Sequence, residues 1–252
     1  MITFKNVSKC YAENRIALDN ISITIERGSI VSVIGPSGAG KTTLIRCING
    51  LTACTSGSVE ISGTPVNTKH RHSLRKLRKN IGMIFQNYNL VEQLTVLENT
   101  LHGCLGSMPF YRSIPGLYSA AEKEAAFTIL EDMEMADYAY QRCTDLSGGQ
   151  KQRIGIARAL MQKPEILLCD EPVSSLDPKN AQDILEYLNK VIKKNNLTCV
   201  MNLHHIEYAK RYSDRIVGLR SGTLVFDGTP DMLSHAALGR IFSPDAGIKK
   251  EV

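Results

Sequence analysis

The chain has 252 residues, of which 43% are hydrophobic and 22% are charged, a balance typical of a globular protein with one large domain or two lobes. Its formal net charge of +5 is mild and does not call for a nucleic-acid partner, and no apolar run approaches the roughly 18 residues of a membrane-spanning helix. The seven cysteines lack paired short spacings, which indicates free thiols in a reducing compartment rather than a disulfide framework or a zinc site.

The first third of the chain is predicted to contain short strands separated by glycine turns. Residues 21–25 alternate in polarity as a half-buried strand does, and residues 30–34 form the apolar run of a buried central strand. A glycine-rich loop then leads into a helix over 42–50 that ends at a glycine. The other elements predicted here are a strand over 57–63, a basic helical stretch over 69–79 and a strand over 81–85.

The middle third is predicted to be helical, with helices over 98–105 and 120–135 and a loop over 106–116 that exposes aromatic residues. Strands and helices alternate again after it, which predicts an α/β fold with a mostly parallel sheet. The middle third would then be a helical insertion into this fold. The later predicted elements are helix 149–162, strand 165–170, helix 179–194, strand 197–203, helix 205–212, strand 214–219 and strand 223–226.

A phosphate-binding loop is predicted between the strand over 30–34 and the helix after it. Its glycines let successive N–H groups converge on phosphate oxygens, and the helix N-terminus adds partial positive charge. Lys41 would bridge the β- and γ-phosphates of a nucleotide, and the Thr42 hydroxyl would ligate Mg²⁺. A glycine turn before an ordinary helix would not explain the Lys-Thr pair in this position. The nucleotide-contacting residues are Gly35, Pro36, Ser37, Gly38, Ala39, Gly40, Lys41, Thr42 and Thr43.

Asp170 and Glu171 end an apolar strand, so their carboxylates are predicted at the carboxyl edge of the sheet, beside the phosphate loop. We expect Asp170 to hold Mg²⁺ through its water shell and Glu171 to polarise the attacking water. An isolated Asp-Glu pair would be interpreted as a turn cap, but the phosphate loop favours the catalytic interpretation. Gln86 ends another strand; its amide could bind Mg²⁺ or the lytic water, or it could be a surface glutamine.

The residues alone leave two further positions open. His204 follows the strand over 197–203, where its imidazole could contact the γ-phosphate, although a histidine at a strand end is usually structural. The neighbouring His205 is the alternative, and His204 has the better register. Tyr11 lies in an early loop and could stack on an adenine face, or it could be a partly buried loop aromatic.

The ordered motifs resemble those of the ATP-binding subunits of ABC transporters over nearly the whole chain. The resemblance implies a P-loop NTPase core with an N-terminal antiparallel β-subdomain and an inserted helical subdomain. The core would comprise residues 1–86 and 146–252, and the helical subdomain residues 87–145. The motifs that carry the resemblance are Gly35–Thr42, Gln86, Leu146–Gln150, Leu168–Pro172, Ser175–Asp177 and His204.

The resemblance also implies a head-to-tail dimer with two ATP molecules between phosphate loops and opposing signature loops. The signature residues Ser147, Gly148, Gly149 and Gln150 of one copy would contact the γ-phosphate bound by the other copy. Backbone amides at a helix start and a serine hydroxyl make a second anion site, which gives this arrangement a physical basis. The resemblance further implies that Asp177 lies at the dimer interface and that Tyr11 stacks under adenine. Glu171 would act as the general base, assisted by Gln86 and His204. Thr42, Gln86 and Asp170 would bind Mg²⁺.

A finer likeness, to the ATP-binding subunits of phosphonate importers, rests on residues 103–112, 159–162 and 203–212. It implies ATP hydrolysis coupled to uptake of a phosphonate or a related phosphorus oxyanion at the cytoplasmic face of the membrane. Transmembrane permease subunits would dock near residues 86–99. A periplasmic or lipid-anchored solute-binding protein would deliver the cargo.

Other functions of the same class of ATPase stay open. An importer for phosphite, a phosphate ester, an amino acid or a metal ion would need the same ATP motifs. An ATPase that acts on DNA would need a long coiled coil or zinc modules between the phosphate loop and the signature, where this chain has a short helical insertion. The basic stretch over 69–79 could approach lipid headgroups, although a solvated helix face is the simpler interpretation.

Overall fold

A computed structural model describes residues 1–12, 15–174 and 176–243, which form two β-sheets and nine α-helices among the described residues. The strands are β1 (Ile2–Cys10), β2 (Ile16–Ile25), β3 (Ile30–Ile34), β4 (Ser56–Ile61), β5 (Thr64–Pro65), β6 (Ile81–Ile84), β7 (Ile166–Asp170), β8 (Thr198–Asn202), β9 (Arg215–Arg220) and β10 (Thr223–Gly228). The helices are α1 (Lys41–Ile48), α2 (Arg71–Arg78), α3 (Val96–Leu101), α4 (Phe110–Ser113), α5 (Ala120–Asp132), α6 (Gly148–Met161), α7 (Pro178–Lys194), α8 (Ile206–Tyr212) and α9 (His235–Phe242).

The larger sheet has the strand order β10-β9-β3-β8-β7-β6. All its pairs are parallel except the edge hairpin of β9 and β10, so the predicted α/β fold with a mostly parallel sheet is confirmed. Every residue of β3, β7 and β8 is buried, as the apolar runs predict for central strands covered on both faces. The carboxyl ends of these three strands therefore meet at one edge of the sheet.

The smaller sheet is antiparallel, with the order β2-β1-β4-β5. Its apolar face packs with β3 and α1 in one buried cluster, so α1 lies between the two sheets. The sequence interpretation omits β1 and begins β2 five residues late, at Ile21. The pairing of β1 shifts register between Phe4 and Val7, and Asn6 has a φ of 50°, so the two-residue alternation that predicts a strand is interrupted there.

The helical middle third packs on α6, which also contacts β6 of the larger sheet. Two of its helices, and α6 itself, begin with capping boxes, in which a serine or threonine and a residue three positions later satisfy each other's backbone N–H groups: Thr95 with Glu98, Ser119 with Glu122, and Ser147 with Gln150. One apolar cluster runs from these helices to β3, β7 and β8. Within the described ranges, no helix is both long and apolar enough to cross a bilayer.

Three helical predictions differ from the structure. The helix predicted over 98–105 begins earlier, at Val96, and ends in a 3₁₀ turn over His102–Cys104. The stretch predicted as a loop contains α4, whose N-cap is Pro109; a proline at a helix start needs no hydrogen-bond partner for its nitrogen, so it need not indicate a loop. The sequence interpretation omits α9 altogether.

Candidate active site

One side of the loop between β3 and α1 packs closely against neighbouring backbone, and the other side faces open space. A Cβ atom added to Gly35 would lie 2.2 Å from the Leu219 carbonyl oxygen, and one added to Gly40 would lie 2.2 Å from that of Ala17. Gly38, with a φ of 80°, has no atom within 4 Å of such a Cβ. No side chain caps the N-terminus of α1. Its first N–H groups are therefore free to bind an anion.

Lys41 begins α1 and is almost fully buried beneath this loop. Its Nζ donates hydrogen bonds of 2.9 Å to the carbonyl oxygens of Gly35 and Pro36. Burial lowers the pKa of Lys41, and the nearby carboxylates of Glu171 and Asp170 oppose that shift. The ammonium is thus held inside the loop by its carbonyl oxygens, close to two carboxylates.

Asp170 ends β7, with 2% of its surface exposed, and holds the polar groups of two neighbouring elements. Its Oδ1 accepts hydrogen bonds from the Thr42 hydroxyl at 2.8 Å and from Asn202 Nδ2 at 3.1 Å. The guanidinium of Arg46 lies 3.9 Å from its Oδ2. The buried Asn202 Oδ1 has no hydrogen-bond partner among the described residues. This set of hydroxyl, carboxylate and amide oxygens fits a hard cation such as Mg²⁺.

The described part of the chain has no group of three or more His, Cys, Asp or Glu side chains able to hold a metal ion. Mg²⁺ sites in nucleotide-binding proteins need only one or two carboxylates, because phosphates and water supply the other ligands. The sequence interpretation missed Asn202 and Arg46. A polar residue at the carboxyl end of a buried strand was the available signal for Asn202.

The Glu171 carboxylate contacts the other two predicted catalytic side chains, those of Gln86 and His204. Its Oε2 accepts a 2.7 Å hydrogen bond from Gln86 Nε2, and its Oε1 accepts one of 2.6 Å from His204 Nε2. Its backbone is left-handed, with a φ of 53°, a conformation that costs a non-glycine residue about 1–3 kcal/mol and is common at functional sites. The carboxylate is consequently oriented by two donors from two other strand ends.

The two neighbouring histidines have different surroundings. His204 contacts the Glu171 carboxylate, whereas the His205 ring packs against Tyr208, with ring centroids 5.3 Å apart. We therefore expect His204→Ala to slow ATP hydrolysis roughly 10–100-fold, the usual effect of losing an outer partner of a reactive group. His205→Ala is the matched control, and we expect it to retain the wild-type rate. Steady-state phosphate release measures both, and equal rates for the two variants would contradict the assignment of His204.

A cleft of about 480 Å³ brings most of the predicted nucleotide-contacting residues together. Tyr11, 43% exposed, lies at its edge with its hydroxyl 3.5 Å from the Thr43 hydroxyl, and Lys9 Nζ lies 4.9 Å from the centre of its ring. Stacking of Tyr11 on adenine stays a prediction. The lining residues are Tyr11, Arg15, Ile16, Ala17, Ser37, Gly38, Ala39, Gly40, Lys41, Thr42, Thr43, Arg46, Glu171 and His204.

The signature residues lie elsewhere in the same chain. Ser147, Gly149 and Gln150 line a second concavity, of about 240 Å³, together with Asn180. The Ser147 hydroxyl oxygen accepts a hydrogen bond from the backbone of Gln150, which leaves its hydrogen available to a ligand. A Cβ atom on Gly148 would lie 3.0 Å from the Tyr88 hydroxyl oxygen. One chain alone therefore does not bring the signature loop into the cleft of the phosphate loop.

Asp177 caps α7, accepting hydrogen bonds from the backbone and the side chain of Asn180, and these bonds lower its pKa. The preceding residue, Leu176, lies close to Gly149: a Cβ atom added to Gly149 would lie 3.4 Å from the Leu176 side chain. Asp177 thus lies beside the signature loop, as its predicted place at the same interface requires. Ser175, part of the same motif, lies outside the described residues.

A contact that the sequence did not predict joins the segment after Gln86 to α6. The guanidinium of Arg158 donates hydrogen bonds to the carbonyl oxygens of Asn89, at 2.5 Å, and Tyr88, at 2.7 Å. Burial lowers the pKa of Arg158. The residues lie about 70 positions apart, so no local pattern could have indicated the contact.

Comparison with known proteins identifies the class to which this site belongs. The family model of the ABC transporter matches residues 18–174, more than half of the chain. The chain belongs to the ABC transporter family. Its resemblance to the ATP-binding subunits of that family, and its predicted class as an ATPase, are thereby confirmed.

Individual relatives match this family member over nearly their whole length. The chain is 52% identical to the phosphonates import ATP-binding protein PhnC of Treponema denticola, over 94% of the chain and 93% of the relative. It is 48% identical to PhnC 2 of Oceanobacillus iheyensis, over 96% and 95%. Among solved structures, it is similar to the ATP-binding cassette MJ0796 in a dimeric post-hydrolysis state bound to ADP and Pi, with a TM-score of 0.80, 34% identity and coverage of 91% of this chain and 99% of the other.

Proposed function

We propose that this chain is the ATP-hydrolysing subunit of an importer that takes up a phosphonate or a related phosphorus oxyanion. The ATPase part is carried by one observation: the Glu171 carboxylate is held at the edge of the phosphate-loop cleft by Gln86 and His204. The cargo is supported by the likeness to phosphonates import ATP-binding proteins, which extends over at least 93% of the two relatives described above.

The proposed hydrolysis follows from the geometry of the cleft. The open loop and the amides of α1 bind the phosphates of ATP, with the Lys41 ammonium beside them. Glu171 accepts a proton from the attacking water as its oxygen bonds to the γ-phosphorus, while the bond from that phosphorus to the bridging oxygen of ADP breaks and ADP and phosphate are released. Gln86 and His204 hold the two carboxylate oxygens, so that the base stays oriented towards the water. Mg²⁺, held by Thr42 and Asp170 with Gln86, would neutralise charge on the transferring phosphoryl group.

A second copy of the chain completes the proposed site. The signature loop lies outside the cleft of its own chain and lines a separate concavity, so it would serve the cleft of another copy. A head-to-tail pair would place the signature residues of one copy, Ser147, Gly148, Gly149 and Gln150, against the γ-phosphate bound by the other copy. Asp177 would lie at the dimer interface. The dimeric state of the solved cassette MJ0796 supports this arrangement.

We propose that permease subunits dock in a groove of about 800 Å³ between α2 and the helical middle third. The groove adjoins the docking region proposed from the sequence, residues 86–99, because Phe85 lines it and Arg158 joins it to the segment after Gln86. Such docking would place the chain at the cytoplasmic face of the membrane. A solute-binding protein on the other side of the membrane completes the proposed importer.

The division into a core (1–86 and 146–252) and a helical subdomain (87–145) stays our proposal. It is supported by the packing of α3 and α5 on α6. The buried cluster shared with β3, β7 and β8 means that the helical subdomain would move against the core by sliding of packed side chains rather than by separation.

The cargo is tested through the solute-binding protein of the proposed importer. Calorimetric titration of that protein with methylphosphonate, phosphite, a phosphate monoester and an amino acid ranks the candidate cargoes directly. We expect the phosphonate to bind most tightly, and ATP-driven uptake of the same compound by the reconstituted complex to require this chain. Preference for an amino acid would overturn the proposed cargo and leave the ATPase assignment intact.

A further inference from the structure

The stretch after the 3₁₀ turn His102–Cys104 presents large apolar side chains to solvent. Phe110 and Tyr111 are each 74% exposed, Ile114 is 68% exposed and Leu117 is 58% exposed. These four residues, here named the apolar tip, lie within eight positions on α4 and the turn after it. Single exposed apolar residues are ordinary, but a cluster of this kind marks an interaction surface.

The apolar tip is held by polar contacts on its inner side. The Arg112 guanidinium donates to the Leu117 carbonyl oxygen and to the Glu122 carboxylate at 2.7 Å. Met108, at the other end of α4, is buried against the Cys104 thiol. The segment therefore turns its charged residue inward and its apolar residues outward, the reverse of the usual arrangement for a surface helix.

A strongly basic surface lies across the groove from the segment that leads into the apolar tip. Arg71, Arg75, Arg78 and Lys79 of the α2 region line the groove on one side, and Gly103 and Gly106, which lead into the tip, line the other. The sequence contains no Asp or Glu between Glu60 and Glu92, or between Glu98 and Glu122. Both walls of the groove thus come from segments without acidic residues.

We propose that the apolar tip and the basic face of α2 together bind the anionic phospholipid surface of the membrane. An anionic leaflet attracts clustered lysine and arginine residues, and aromatic and aliphatic side chains then enter the interfacial layer. The α2 residues line the groove in which we propose that the permease docks, and the tip begins four positions after Gly106, which also lines it. The permease would occupy the groove, and the lipid surface would contact its exposed rim. This proposal goes beyond the proposed function, because vesicle binding requires neither a particular cargo nor ATP hydrolysis.

The composition of the surface favours lipid over other occupants. A single-stranded nucleic acid could stack on Phe110 and Tyr111 but would gain nothing from Ile114 and Leu117, whereas a lipid interface takes up all four side chains. A second copy of the chain would bring the same positive charge against itself, with no acidic residue in either segment to offset it. An anionic lipid surface accepts both the positive charge and the branched aliphatic side chains.

Co-sedimentation of the full chain with vesicles tests the proposal. We expect binding to vesicles of equal parts phosphatidylglycerol and phosphatidylcholine, little binding to phosphatidylcholine alone, and weakening by salt. Phe110→Ser combined with Tyr111→Ser and Ile114→Ser should lower the partition coefficient about tenfold or more, since each replacement removes apolar area from the interface. Arg71→Gln combined with Arg75→Gln and Lys79→Gln should do the same by removing charge.

Matched controls remove similar groups from other surfaces. Met232→Ser removes a side chain that is 62% exposed, and Lys190→Gln combined with Lys193→Gln and Lys194→Gln removes three charges from α7. We expect both controls to bind vesicles as the wild type does, and all variants to keep the wild-type rate of ATP hydrolysis. Equal binding by tip variant and wild type would overturn the proposal. So would a tip variant that binds vesicles normally but loses the permease, which would assign the surface to the permease instead.

Discussion

Replacement of Glu171 by glutamine is expected to slow ATP hydrolysis roughly 10²–10⁴-fold, the usual effect of losing a general base. Glutamine keeps the length of the side chain but cannot accept a proton from water. It also faces two donors, Gln86 Nε2 and His204 Nε2, with only one acceptor oxygen. Because ATP still binds, the variant should accumulate as an ATP-bound dimer, which size-exclusion chromatography detects.

A matched control lies at the other end of the same strand. Glu165 directly precedes β7, and its side chain is 63% exposed. Glu165→Gln makes the same chemical change far from the cleft and should hydrolyse ATP at the wild-type rate. Hydrolysis by Glu171→Gln at a rate close to that of this control would show that another group activates the water.

Mixing two inactive variants is expected to restore ATP hydrolysis. Lys41→Ala damages the phosphate loop and Ser147→Arg blocks the signature loop, so each homodimer should lose roughly 10²–10³-fold in rate. A mixed dimer contains one intact site, built from Lys41 of one copy and Ser147 of the other. Random pairing gives mixed dimers in half of the population, and one of two sites in each, so about a quarter of the wild-type activity should return.

The control for this experiment is the chain that carries both substitutions. Mixed with either single variant, it cannot form an intact site in any pairing, so no activity should return. Thermal unfolding should verify that Ser147→Arg folds, because loss of the helix cap costs only about 1 kcal/mol. An unmixed single variant with normal activity, or a mixture that stays inactive although the dimer forms, would contradict the shared site.

Local sequence predicted those parts of the site that depend on short segments. Gly35–Thr42 carries its own turn chemistry, and Asp170 follows an apolar run whose end fixes its position at the edge of the sheet. The grouping of Gln86 and His204 with Glu171 came from the resemblance to ABC ATPases, because the residues alone left both positions open. These predictions needed the order of elements but no knowledge of side-chain packing.

The remaining features depend on tertiary contacts that local patterns do not encode. Asn202 reaches Asp170 because β8 lies beside β7, and strand order was not predictable from the sequence alone. The preference for His204 over His205 became clear only from the direction of the two side chains. The apolar tip was predicted to be exposed, but its helix was not, because Pro109 was interpreted as a loop signal.

The contact of Arg158 with the carbonyl oxygens of Tyr88 and Asn89 has a mechanical consequence. Arg158 belongs to the helix that begins at the signature loop, and the two carbonyls belong to the segment that directly follows Gln86. We therefore expect a tilt of that helix to pull on Gln86, which donates a hydrogen bond to Glu171, the proposed general base. The angle at which a chain offers its signature loop to a neighbouring copy would then be linked to the orientation of its own Glu171, and in the proposed dimer this link would connect events at the two ATP sites.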